Sequence, residues 1–328
     1  MPISQRLLIS RSAFLREIRK TATDDTKGQK CNICLEAVHP RTGEGLVRGC
    51  ACGDRDGVSS PELGVAHVSC LARQAEILVA EAEEDNLDDD KWHRWHKCSL
   101  CEQRYHGVVR CALGWACWRT YVGRPEADTC RASAMTQLGN GMHAAGKHQE
   151  RLKVLEAELA IDKRLDAPEI VLLDTISNLA ACYDDLGRHD AAHNMFAHVF
   201  ERTRAVHGNE AEETFLAAFN YADSFISKKE FAAAVSLLRE WIPRAVEVFG
   251  PDFEYTPDLR LAYARAIFED TRTQNLIEAL VILEDVVTRM QRIYGFYPYT
   301  REAQAFLECA RMRGEDADAA GVGSSKAL

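Results

Sequence analysis

Cys31-Asn32-Ile33-Cys34, Cys50-Ala51-Cys52, His67-Val68-Ser69-Cys70 and Cys98-Ser99-Leu100-Cys101 are four close pairs of soft ligands in one stretch of the chain. They offer seven thiols and one imidazole. Structural Zn²⁺ takes four nitrogen or sulfur ligands in a tetrahedron, so eight ligands imply two ions. Two intervening residues let both side chains of a pair turn back onto one metal, and three of the four pairs have that spacing. Cys50-Ala51-Cys52 is tighter. Paired close spacings favour metal over a disulfide framework.

The ligand order is four Cys, one His, three Cys, with one residue between Cys50 and Cys52. It resembles the RING-CH (RING-variant) zinc domains known from ubiquitin ligases. Gly49-Cys50-Ala51-Cys52-Gly53, Ala66-His67-Val68-Ser69-Cys70-Leu71 and Cys98-Ser99-Leu100-Cys101 with Tyr105 beyond carry the resemblance, which covers segment 28–108. The chain departs from the family in two long gaps. Cys52 to His67 holds Gly53, Gly57, Pro61 and Gly64, and Cys70 to Cys98 is acidic.

The resemblance implies interleaved pairs. Cys31, Cys34, His67 and Cys70 would hold one ion, and Cys50, Cys52, Cys98 and Cys101 the other. It implies a small zinc-stabilised RING-like α+β domain whose folding free energy comes mostly from metal, on the order of 10 kcal/mol or more per site. It also nominates Ile33 as a contact for a ubiquitin-conjugating enzyme, with Leu100 flanking the same groove and Trp92 and Trp95 nearby. The alternatives stay open: Ile33 and Leu100 pad the zinc loops, and at least one tryptophan packs on the zinc core. His93, His96 and His106 are expected at the surface or behind the ligands, since the eight-ligand set is complete without them.

The bulk numbers are those of an ordinary globular chain: 328 residues, 46% hydrophobic, 27% charged. A net charge of −10 argues against nucleic acid as the main partner. Five of the 12 cysteines (Cys111, Cys117, Cys130, Cys182 and Cys309) fall outside the constellation, which suits a reducing compartment, cytoplasmic or nuclear. No apolar run approaches the roughly 18–20 residues of a membrane span.

Residues 1–28 read as an N-terminal arm, basic and amphipathic, with Leu7, Leu8, Ile9, Phe14, Leu15 and Ile18 among Arg6, Arg11, Arg16, Arg19 and Lys20. The zinc domain follows at 29–108. A helix is expected from Pro61 to Asp85, then an acidic run to Asp90. Residues 109–125 read as an apolar connecting helix, ended by Gly123-Arg124-Pro125 at a domain boundary.

Residues 126–313 repeat internally. Gly208 and Gly250, Asn178 and Asn220, and Ala192 and Ala234 are each 42 apart; Ala234 to Ala279 and Gly250 to Gly295 are 45. A weaker copy runs 41 residues ahead, with Gly146 matching Gly187 and Leu138 matching Leu179. Each unit holds two amphipathic helical patterns around a turn. This resembles tetratricopeptide repeats in the long form of kinesin light chains. Arg151 stands at the small-residue position of the first unit, and Lys229 replaces the turn glycine of the third. An all-α solenoid of four units plus a helix near Tyr299–Arg311 is expected, with a groove for a protein or peptide, and the tail 314–328 is expected to be disordered.

Three functions follow. A RING-type E3 ligase would recruit a conjugating enzyme through the zinc domain and a substrate through the repeats, accelerating transfer by proximity with no catalytic residue of its own. A non-catalytic zinc and repeat adaptor is the second. A PHD-like peptide reader shares the ligand order, but the Cys50–Cys52 spacing argues against it.

Overall fold

The computed structural model describes residues 26, 28–50, 52, 64–85, 91–253, 255–270, 275–294 and 298–324. The chain divides into two compact units, Met1–Pro168 and Glu169–Leu328. Residues 1–25 and 27 of the basic arm, 53–63, the end of the acidic run at 86–90, residues 271–274 and the last four residues lie outside the described residues.

In the first unit, β1 (Val47–Arg48) pairs antiparallel with β2 (Val65–Ala66), Val47 opposite Ala66. Helix α1 runs Val68–Glu84. Its start corrects the expectation of a helix from Pro61. Gly64 turns with φ +78 and Val65 and Ala66 are strand, so the helix begins only after His67. Val68, Leu71, Ala75, Val79 and Ala82 are its buried stripe, at helical spacing. A single 3-10 turn, Trp92–Trp95, precedes the fourth ligand pair.

Helix α2, Gly107–Tyr121, buries Val109, Cys111, Leu113, Trp115, Cys117, Trp118 and Tyr121. Helices α3 (Thr129–Ala144) and α4 (His148–Arg164) form the first hairpin, and Asp128 caps α3 by accepting from the Arg131 N–H at 3.0 Å. Two glycines bring α2 and α3 into backbone contact. A Cβ on Gly114 would lie 2.6 Å from the Gln137 carbonyl oxygen, and one on Gly141 would lie 2.9 Å from that of Arg110. One hydrophobic core therefore runs from Cys31 through α2 to Val154 and Ala157. The apolar stretch expected to connect two domains is a core helix, and the compact unit ends at Pro168, beyond Gly123-Arg124-Pro125.

The regular elements among the described residues of the second unit are all helices: α5 (Glu169–Asp185), α6 (His189–His207), α7 (Glu212–Ser227), α8 (Phe231–Phe249), α9 (Tyr255–Glu269), α10 (Leu276–Tyr294) and α11 (Pro298–Ser324). Ala192, Ala234 and Ala279, at one repeat position, are each 0% exposed, which lets paired helices approach closely. Thr214 Oγ1 donates to the Gly208 carbonyl at 2.7 Å, and Thr256 Oγ1 repeats the bond to Gly250 at 2.9 Å. The intra-hairpin turns also repeat: Gly187 takes φ +74, and Lys229 adopts the same left-handed region at φ +62. The last helix runs to Ser324, through the start of the tail expected to be disordered.

Candidate metal centre

Strand and helix starts deliver the ligands of the first cluster. β2 leads directly into His67, α1 begins on the next residue, and Cys70 follows in its first turn. Glu44 Oε1 accepts from the Ser69 N–H at 2.8 Å and fixes that turn. The Asn32 N–H donates to the Val65 carbonyl at 3.0 Å, which ties the Cys31–Cys34 loop to β2. Cys34 Sγ then lies 3.3 Å and Cys70 Sγ 3.7 Å from His67 Nδ1. The ligand atoms of Cys31, Cys34, His67 and Cys70 all fall within 4.8 Å of one another. His67 is 0% exposed, and its Nε2 faces the Ala37 carbonyl at 3.4 Å. A hydrogen on Nε2 leaves Nδ1 free for the thiols, the arrangement that orients a metal-bound imidazole.

The second cluster joins Cys50, Cys52, Cys98 and Cys101, all buried, within the same 4.8 Å limit. Cys52 and Cys98 sulfurs are 3.6 Å apart. β1 leads into Cys50, while the Cys98 loop closes through Lys97 bridging Arg104 and the Tyr105 N–H donating to His96. Gly64 is pressed against this cluster: a Cβ there would lie 2.5 Å from Cys52 Cβ and 2.9 Å from Cys50 Sγ.

The first and last ligand loops share one conformation. In each, the first cysteine's Sγ accepts an N–H two residues on at 3.4 Å (Ile33, Leu100). Its carbonyl accepts from Leu35 or Glu102, and its own N–H donates to Glu36 or Gln103. Leu35 and Glu102 both take positive φ, +63 and +56. Arg94 reinforces the last loop, donating to the Cys98 carbonyl at 3.4 Å and to Glu102 at 2.9 and 3.1 Å.

Tetrahedral zinc with Zn–S near 2.3 Å sets sulfur–sulfur edges of about 3.8 Å, and slightly shorter sulfur–nitrogen edges. The separations of 3.6 Å and of 3.3 and 3.7 Å fit those edges. The electrostatics agree. Hydrogen bonding from Cys101, Cys50 and Cys52 drives the Cys98 thiol far down, while Cys101, Cys52 and Cys98 drive Cys50 far up. Four crowded thiols cannot all ionise without a cation to balance them. Tyr105 beside them is pushed up by burial and by the Cys98 and Cys50 charges. Burial lowers His67, keeping the imidazole neutral as a ligand must be.

The other nominated residues separate. Ile33 is 39% and Leu100 52% exposed on the two matching loops. Trp95 is 1% exposed, packed against Tyr121 with ring centroids 6.1 Å apart, so it is a core residue and not a contact for a partner. Trp92 is half-buried against the same Tyr121 at 5.3 Å. His93, His96 and His106 join neither cluster among the described residues. Sequence reasoning missed Gly64, Ala37 and Arg94 as supports; only the glycine, immediately before β2, carried a readable signal.

No curated protein matches the chain. A family model for the tetratricopeptide repeat matches residues 172–212, which span most of α5 and all of α6. The chain carries tetratricopeptide-like repeats. Among solved structures, the nearly identical TPR-like repeats assigned to a Podosopora anserina kinesin light chain align with 17% identity, 69% of this chain, 97% of that chain and a TM-score of 0.43. BtubC (BKLC) from P. vanneervenii aligns with 14% identity, 77% of this chain, 88% of that chain and a TM-score of 0.45. No described helix is long and apolar enough to cross a membrane.

Proposed function

We propose that the chain is a RING-type E3 ubiquitin ligase with two structural zinc ions, its zinc region recruiting a ubiquitin-conjugating enzyme and its repeats recruiting a protein substrate. One observation carries the reading: pairs one and three converge, pairs two and four converge, and each of two like-folded ligand loops presents an apolar side chain to solvent. An apolar tip on a short, rigid loop is suited to docking. Zinc bound at the two clusters would supply folding free energy and no reactive position, since four protein ligands close each tetrahedron. The chain would then act by holding a charged conjugating enzyme near a substrate lysine, so that orientation lowers the barrier.

An autoubiquitination assay with a panel of conjugating enzymes tests this. Activity that is lost in Ile33→Ala with zinc content unchanged is the expected result. Burial of Trp95 favours the second reading, a non-catalytic zinc and repeat adaptor, because it removes one side chain from any docking surface. Absence of ubiquitin transfer with every conjugating enzyme would select the adaptor.

A further inference from the structure

The second unit holds a groove of about 290 Å³ whose walls come from three successive first helices of the repeats. Phe219 on α7, Leu261 on α9 and Phe306 on α11 line it, and they are 42 and 45 residues apart, the spacings of the repeat itself. The groove is thus built at one repeat position, used three times. Its polar lining is unequal in sign. Asp223 and Glu302 face it with carboxylates and Arg265 with a guanidinium.

Arg265 is already committed. It donates to Asp223 Oδ1 at 2.9 Å and has Glu269 at 3.9 Å. Glu302 is exposed. The Tyr299 hydroxyl reports the local field. Burial raises it most, and the charges of Asp258 and Asp223 add to that against the single opposing charge of Arg265. The unit as a whole carries 26 Asp and Glu against 16 Lys and Arg, so the entire net charge of −10 falls in it. Aromatic walls with a surplus of carboxylates favour a cation on an apolar stem, since the ring faces are negative and the methylenes pack between them.

We propose that this groove binds a basic peptide segment of a partner protein, with a Lys or Arg side chain lying between Phe219 and Phe306 and its charge at Glu302 and Asp223. The proposal rests on the reading of the repeats as a recruiting surface and names the chemistry they recruit.

The test uses the full chain and two fluorescein-labelled peptide libraries with apolar flanks, one fixed as Lys or Arg at the central position and one fixed as Glu. Fluorescence anisotropy at low and physiological salt should show binding of the basic library alone. Glu302→Gln should weaken it by about fivefold or more, and Glu302→Lys should weaken it further, as for a truncated or reversed charge pair. Because Glu302 is exposed, these variants keep the fold, which the far-ultraviolet circular dichroism checks. Preference for the Glu library, equal affinity in Glu302→Lys, or no binding of either library would overturn the proposal. Autoubiquitination measured on the same samples separates the two ideas: a working ligase with no basic-peptide binding sinks the groove alone.

Discussion

Among the described residues between Cys31 and Cys101, regular structure amounts to two strands of two residues each, one helix and one 3-10 turn, while those of the second unit form seven helices packed through repeated alanine contacts. Charge divides as sharply: the first unit carries 24 acidic and 24 basic side chains, the second all of the net −10. The contrast teaches where each region keeps its stability. On the proposed reading, loops with little secondary structure would be fixed by ligands converging on zinc, whereas stacked hairpins are fixed by apolar burial summed over near-identical interfaces.

The largest effect should come from removing metal. Chelation under reducing conditions should withdraw about 10 kcal/mol per site from the first unit. The near-ultraviolet signal of Trp92 and Trp95 should collapse, while amide protection in α6 to α9 persists. Equal loss of protection in both units would break the contrast.

Gly64→Ala should come next. The substitution combines a left-handed φ of +78 with a Cβ placed 2.5 Å from Cys52 Cβ. Strain and overpacking together should cost about 4 kcal/mol, with the second cluster losing its metal before the first. Metal counting on the purified variant reads this directly.

These glycines show what the sequence made legible. The eight candidate ligands could be read because metal chemistry fixes both residue type and spacing over a few residues. The interleaving came only with the family resemblance, and the side chains do converge in that order. The repeat was legible because Ala192, Ala234 and Ala279 recur. The extent of the first unit was not, because it depends on Gly114 and Gly141 letting α2 and α3 touch, and a helical glycine carries no local signature of its partner. Trp95 was ambiguous for a similar reason: a tryptophan beside a ligand pair serves a core or an interface equally well, and only its packing on Tyr121 decides.

A smaller effect sharpens the comparison within the helical hairpins. Glu158 on α4 is buried, and burial pushes its carboxyl up to about 7. Its unfolded value lies near 4.5, so the folded state holds the proton more tightly. The contribution is fully present below about pH 4.5 and is lost as pH rises through 7, on the order of 3 kcal/mol. Between pH 5 and pH 8 the denaturation midpoint of the first unit should lose ground against that of Glu158→Gln, because the pH dependence of the zinc clusters is common to both chains and cancels in the difference.

The smallest effect lies in the second unit. Lys229 occupies the left-handed turn position held by Gly187 in the preceding hairpin. Lys229→Gly should raise stability by about 1 kcal/mol, since relief of the left-handed strain exceeds the entropy lost by glycine. A lower midpoint in that variant would show that the Lys229 side chain contributes more than its backbone strain takes away.

The most direct test of the account is metal stoichiometry on the pure, reduced chain, combined with X-ray absorption at the zinc edge. The account predicts two zinc ions per chain and an average shell of seven sulfurs to one nitrogen across the two sites. No bound zinc, a single ion, or a shell rich in oxygen would contradict it.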